Sequence, residues 1–193
     1  FAAPNPQVVF EAVKLADKGK GVLLLVLNHA GDMLCGNMVM KMVAKAGMNV
    51  RKVVTQEDIS NAPRSNSDDR RGLAGAIPLY HIAAAAAREG KSLDEVADIA
   101  QKYADSMATI AVAARCATHP ATGAEFGDLG DVDMEIGMGQ HGEGGGGRQP
   151  MKSAKETVEI MANALVKDIP LVKGDKAFVM INGSGATTLM EMF

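Results

Sequence analysis

Apolar residues recur at helical spacing through Val8, Val9, Ala12, Val13 and Leu15, and the pattern runs to Lys18 before Gly19 and Gly21 break it. The period then changes. Residues 21–27 follow a glycine with an unbroken leucine and valine run, the composition of a strand buried on both faces of a parallel sheet. Residues 28–32 leave the carboxyl end of that strand, which is where open α/β sheets bind ligands. Residues 33–46 predict a helix ended by Gly47 and residues 49–55 a second strand, so the three segments make a βαβ unit.

From 56 to 72 the chain is polar and crowded with Asn, Ser, Asp and Pro, which predicts a long loop. Residues 73–88 read as a helix despite Pro78, and Ser92 with Glu95 forms a capping box opening a helix to about Ser106. A strand over 109–114 begins a second lobe. Ser153 with Glu156 is another capping box, opening an amphipathic helix to about Lys167, and 176–181 predict a strand whose exit loop is 182–185. Met33, Met38, Met40 and Met42 mix helix faces and read as core filling.

With 193 residues, 47% hydrophobic and 22% charged, the chain can bury a substantial core in one large or two small α/β lobes. Its net charge of -3, scattered basic residues and 4% aromatics supply neither the electrostatic footprint nor the stacking surface of a nucleic-acid binder. The longest apolar strings, 22–27 and 82–87, are too short for a bilayer, and no basic-then-apolar pattern opens the chain, so a cytoplasmic location is expected. Cys35 and Cys116 match neither a disulfide framework nor a zinc spacing and read as buried free thiols. A start at Phe1 and an end at Phe193, where a helix is beginning, read as a fragment incomplete at both ends.

Candidate chemistry concentrates in residues 134–148, M-E-I-G-M-G-Q-H-G-E-G-G-G-G-R, where His141 and Glu143 sit in a loop almost devoid of other side chains. Glycines beside the histidine let the backbone come close to a compact polar ligand. On spacing alone, His141 is either a solvated loop residue or a ligand-facing imidazole. The stretch resembles the M-E-(I/F)-G-x-G-x-H-G-E-x-G segment of the dihydroxyacetone kinase family, in its substrate-binding K subunit or K domain. Further segments agree in the same order: 21–26 followed by N-H-A-G-D at 28–32, D-R-R-G-L-A-G at 69–75, the alanines of 83–87 with Glu89 and Gly90, and N-G-S-G at 182–185 with Leu189, Met190 and Glu191. The likeness runs from end to end.

The resemblance implies a two-lobed, DhaK-like α/β fold with parallel and mixed sheets flanked by helices, here divided into residues 1–107 and 108–193. It implies a kinase for dihydroxyacetone (glycerone) or a related short ketose, with His141 taking the carbonyl into a covalent hemiaminal. Ordinary contacts give a small neutral ketose only limited affinity, and a covalent tether overcomes that limit. Asp32 falls on the aspartate of the family's N-x-x-G-D and would take the proton of the attacking hydroxyl; its other reading is an N-cap for the helix from Met33. Gly31 would let the backbone approach the substrate. No cofactor or metal is assigned to these residues: the phosphoryl donor, magnesium ATP or a nucleotide recharged by a phosphocarrier protein, belongs to a separate L subunit or domain. The family pairs as a homodimer, carries a second active-site histidine on a glycine-rich loop before this segment, and continues with more sheet and helix after it.

This chain departs from the family near the site. Many relatives place lysine, asparagine, tyrosine and threonine before G-D, where this sequence has Leu27, Asn28, His29 and Ala30. The lost lysine is a lost donor, and His29 either restores a hydrogen bond or packs as a loop histidine. Glycines at 144–147 and Arg148 replace a P-x-(V/I)-D-R stretch, a looser loop expected to admit a larger ketose such as erythrulose or apulose. Glu143 either orients a ring nitrogen of His141, touches a partner subunit, or is an exposed loop glutamate. Residues 182–185 resemble a phosphate cradle without a complete fingerprint and read as a turn. Two rival functions stand beside the kinase. One is a ketose-binding transcriptional coactivator, a class that the family includes; the other is a metal-dependent hydrolase using His29, Asp32, His141 and Glu143, whose ligand spacings are weak.

Overall fold

The computed structural model describes residues 3–185 and 187–193. Helix α1 (Pro6–Ala16) is capped by Asn5, whose side chain accepts the amide of Gln7 at 2.8 Å. Strands β1 (Val22–Leu27) and β2 (Val50–Thr55) pair in parallel, Val22 opposite Val50 and Leu27 opposite Thr55, with helix α2 (Ala30–Lys45) as the crossover. Successive β1 side chains go to opposite faces. Val22 and Leu24 pack with Val13, Cys35, Val39 and Val43 of α1 and α2, while Leu23 and Leu25 pack with Leu79, Ala83, Val96 and Ala100. The latter residues belong to α3 (Ala76–Arg88) and α4 (Leu93–Ser106), so helices cover both faces and every β1 position is apolar for a reason.

Two helices start away from their expected positions. Helix α2 begins at Ala30, with His29 as its N-cap and the Met33 amide donating to the His29 carbonyl at 2.8 Å. Asp32 is therefore in the first turn and is not the N-cap; a carboxylate there is favoured by the helix dipole. Helix α3 begins at Ala76, not at 73, because Pro78 has no N–H to donate and fits only in a first turn. The polar stretch 56–72 is held by side chains: Asn28 Nδ2 donates to the carbonyls of Asp68 at 2.8 Å and Arg70 at 2.6 Å, at the end of a 3-10 turn over Arg64–Asp69.

The second sheet is an antiparallel meander, β3 (Val112–Ala113), β4 (Asp133–Ile136) and β5 (Gly147–Pro150). Thr109 links it to the first sheet's exit loop, donating to the Glu57 carbonyl at 2.8 Å and accepting from the Ile59 amide at 3.0 Å. Both expected capping boxes form, opening α4 and α5 (Ala154–Asp168), and Thr188 with Glu191 adds a third at α6 (Leu189–Met192). The strand expected over 176–181 does not form. Its Phe178, Val179 and Ile181 are 74%, 76% and 69% exposed, and an apolar run becomes a strand only beside a backbone edge that can share its hydrogen bonds. Among the described residues no such edge adjoins it, so 182–185 are not a strand exit. Cys35 is buried and Cys116 only partly so, both as free thiols. No described helix is long and apolar enough to cross a membrane.

Glu57 connects this core to the loops above it. Its side chain is fully buried, and Oε1 accepts the amides of Leu73 at 2.7 Å and Gly75 at 3.1 Å just before α3. Burial pushes the carboxyl up to about 7, against those two bonds and with the help of the neighbouring Asp58 charge. The folded state thus holds a proton that the unfolded chain releases near the ordinary 4.5, so this group favours folding most below that value and progressively less up to about pH 7. The swing is on the order of 3 kcal/mol. Glu57→Gln keeps an oxygen for both amides and cannot ionise. The thermal stability of wild type should fall more than that of the variant from about pH 5 to about pH 8; parallel pH profiles would contradict the assignment.

Candidate active site

A cleft of about 500 Å³ opens at the carboxyl end of β1, lined by Ala3, residues 29–32, His141 and Glu143. The residues picked out in the sequence, Gly31, Asp32 and His141, share this one cleft although more than a hundred positions separate the last from the first two. A Cβ on Gly31 would lie 2.8 Å from the Ala3 methyl, so glycine is what lets the N-terminal segment close against α2. The rings of His29 and His141 stand edge to face, centroids 5.4 Å apart and planes at 88°. His29 Nε2 lies 2.8 Å from the Gly72 carbonyl, which can only accept, so that nitrogen carries the proton. His29 is therefore both anchored to the fold and open to the cleft.

The glycine-rich loop is held by Arg71. Its guanidinium, 9% exposed, donates Nε to Asp58 Oδ2 at 2.8 Å and Nη2 to the Gly137 carbonyl at 2.6 Å, with Nη1 3.6 Å from Glu143 Oε1. Glu143 in turn accepts the main-chain N–H of His141 on Oε2 at 2.9 Å, whereas its Oε1 is 3.7 Å from the ring Nδ1, beyond hydrogen-bond length. It fixes the backbone of the histidine and not the ring. Burial pushes the Glu143 carboxyl up, but the amides of Glu143 and His141 and the charge of Arg71 outweigh it and hold the group below its ordinary value. A Cβ on Gly139 would collide with both the Glu143 carboxylate and the Arg71 guanidinium, which explains a glycine at that step.

The glycine run plays a different part from the one expected. Gly146 donates to the Ile136 carbonyl at 2.6 Å, and a Cβ on Gly145 would run into the Gly137 carbonyl, so the run folds tightly back on β4 as it enters β5. Neither it nor Leu27, which ends β1, lines the cleft. Ala30, the other departure from the family pattern expected to leave room, does line it. His29, His141 and Glu143 each offer one ligand atom within 4.8 Å of the others and could hold a metal ion. The Arg71 guanidinium against the same carboxylate opposes a second positive charge there.

Sequence reasoning assigned no role to Arg71, Asp58, Glu57 or Arg70, although two adjacent arginines before a glycine in a polar loop were a usable signal. Arg70 is buried and pairs with Asp168 on α5, which also accepts Arg64 Nη2 at 2.7 Å. Burial raises the Asp168 carboxyl, but hydrogen bonds from Arg70 and Arg64 outweigh it and hold it below its ordinary value.

The Dak1 domain model matches residues 1–193, and the chain belongs to that family. It is 35% identical to the PTS-dependent dihydroxyacetone kinase, dihydroxyacetone-binding subunit DhaK, of Lactococcus lactis, an alignment that covers 100% of this chain and 58% of that protein. The chain thus spans little more than half of that relative's length. Among solved structures, the dihydroxyacetone kinase of C. freundii in its native form superposes with a TM-score of 0.81 at 28% identity, covering 88% of this chain and 31% of that one. The dihydroxyacetone kinase operon co-activator Dha-DhaQ superposes with a TM-score of 0.81 at 27% identity, covering 88% and 52%. The mixed α/β fold expected from the sequence is the one these relatives share.

Arg71→Met removes the clamp and strands the buried Asp58 carboxylate, a loss of about 3–5 kcal/mol typical of breaking a buried pair. Chemical denaturation should show that loss, and adding Asp58→Asn should recover part of it. Amide exchange over 138–143 should accelerate in the single variant. Unchanged stability and protection would mean that Arg71 does not hold the loop.

Proposed function

We propose that this chain is the ketose-binding part of a kinase for dihydroxyacetone or a closely related short ketose, acting with a separate nucleotide-bearing L subunit or domain. The observation that carries the reading is the convergence of His141 and Asp32 on one cleft, supported by a family relative named as a dihydroxyacetone-binding subunit. Asp32 and Glu143 repel a polyphosphate but suit a neutral polyol, which fits a donor held elsewhere. Neutral His141 adds a bare ring nitrogen to the ketose carbonyl carbon. The C–N bond forms, the π pair moves to oxygen, and the proton shed by the ring neutralises the alkoxide, leaving a neutral hemiaminal. Tethering fixes one terminal hydroxyl beside Asp32, whose carboxylate takes its proton as the O–P bond forms and the donor's phosphate bond breaks.

His141→Ala should stay folded, since the residue lies half-exposed in a loop, and should lose the ketose adduct seen in the wild-type mass spectrum. An undiminished adduct in the variant would remove His141 from the role. Asp32→Asn should keep the adduct and slow phosphoryl transfer by roughly a hundredfold or more, measured with the full-length protein and its donor subunit. Equal turnover would exclude Asp32 as the base. The fold shared with a co-activator favours one alternative, a ketose sensor. Wild type that captures ketose yet transfers no phosphoryl group with any donor subunit would select that reading over the kinase.

A further inference from the structure

We infer that His29 is a specificity-determining contact, accepting a hydrogen bond on Nδ1 from the ketose hydroxyl at the end opposite to the one Asp32 serves. The inference rests on the ketose-binding reading above and extends it to a residue that no step of that chemistry uses. A ketose tethered through its carbonyl carbon to His141, with one hydroxymethyl arm at Asp32, must lay its other arm elsewhere in the same cleft. The polar side chains lining that cleft are His29, Asp32, His141 and Glu143. Asp32 and His141 are engaged in the chemistry. Glu143 has Oε2 bonded to the His141 amide and Oε1 turned toward the Arg71 charge at 3.6 Å, an ion pair that draws the carboxylate to the loop. His29 is left.

Its tautomer is set by the fold. Because Nε2–H donates to the Gly72 carbonyl at 2.8 Å, neutral His29 keeps its lone pair on Nδ1, an acceptor for a hydroxyl proton. Main-chain bonds brace the same corner: Gly72 donates to the Asn28 carbonyl at 3.3 Å, and Asn28 donates to the Thr55 carbonyl at 3.1 Å. The ring also stands edge to face against His141, 5.4 Å between centroids, close enough for both imidazoles to touch a three- or four-carbon ligand. An acceptor that is anchored before the ligand arrives loses little entropy on binding and discriminates strongly against ligands without the matching hydroxyl.

Hydroxyacetone is the probe, since it has the same carbonyl and one hydroxymethyl arm but a methyl group at the other end. Wild-type full-length protein with its donor subunit should favour dihydroxyacetone over hydroxyacetone in kcat/KM by about tenfold, the scale of one hydroxyl–acceptor bond. In His29→Gln the amide nitrogen can still donate to Gly72 while the Nδ1 acceptor is gone, so the ratio should fall close to one. His29→Asn keeps an acceptor near Nδ1, gives up the Gly72 anchor, and should restore part of the preference. A wild-type measurement needs no variant: the ¹⁵N resonance of His29 Nδ1 should move on adding dihydroxyacetone and stay in place on adding hydroxyacetone. An unchanged ratio in His29→Gln, an equal fall for both ketoses, or a resonance that responds alike to both would overturn the inference. If wild type captures neither ketose, the ketose-binding reading itself fails and this inference falls with it; capture of both without discrimination sinks the inference alone.

Discussion

A guanidinium as deeply buried as that of Arg71 needs a countercharge and acceptors, and here those that serve its charge, Nε and Nη2 come from two separate loops. Asp58, fully buried on the exit loop of β2, neutralises the charge. On the loop between β4 and β5 the Gly137 carbonyl accepts Nη2, and the Glu143 carboxylate adds an opposite charge 3.6 Å from Nη1 without a hydrogen bond. Neither loop could adopt its position without the other, because each would leave a buried polar group without a partner. This constraint turns a glycine-rich segment, which would otherwise be costly to order, into a support for His141.

The remaining geometry follows from where β1 ends. A strand covered by helices on both faces can present functional side chains only at its end, and the turn from β1 into α2 delivers His29, Gly31 and Asp32 together. Gly72 receives the His29 ring, and Glu57 caps the approach to α3, so the D-R-R-G-L-A-G stretch shapes the floor of the site although its side chains do not line the cleft. Side chains fixed in this way suit a small, flexible ligand, for which most of the available rate and affinity comes from holding the reacting groups in place.

Much of this was legible in the sequence because local signals and tertiary roles coincided. The parallel pair, both predicted capping boxes and the four helices of the first 106 residues carry short-range patterns that packing reinforces. The convergence of Asp32 and Gly31 with His141 was legible only through a likeness to a family, since nothing in their spacing brings positions 32 and 141 together. The misses have physical causes. Residues 176–181 have the composition of a strand, but a strand is a property of two neighbouring backbones, and composition reports only one. Arg71 and Asp58 looked like ordinary members of a polar loop because burial of a charge depends on long-range partners. A glycine run suggests open space, whereas at Gly145 and Gly146 the place of a Cβ is taken by the carbonyls of Gly137 and Ile136.

The claim at the centre of this account is that His141 bonds covalently to a ketose carbonyl. It is tested most directly by nuclear magnetic resonance on protein carrying ¹⁵N-labelled histidine, mixed with dihydroxyacetone labelled with ¹³C at the carbonyl. The account predicts a tetrahedral carbon resonance with one-bond coupling to a single histidine ring nitrogen, assigned to His141 and absent from His141→Ala. Signals from free ketone and its hydrate alone, with no carbon–nitrogen coupling, would contradict it.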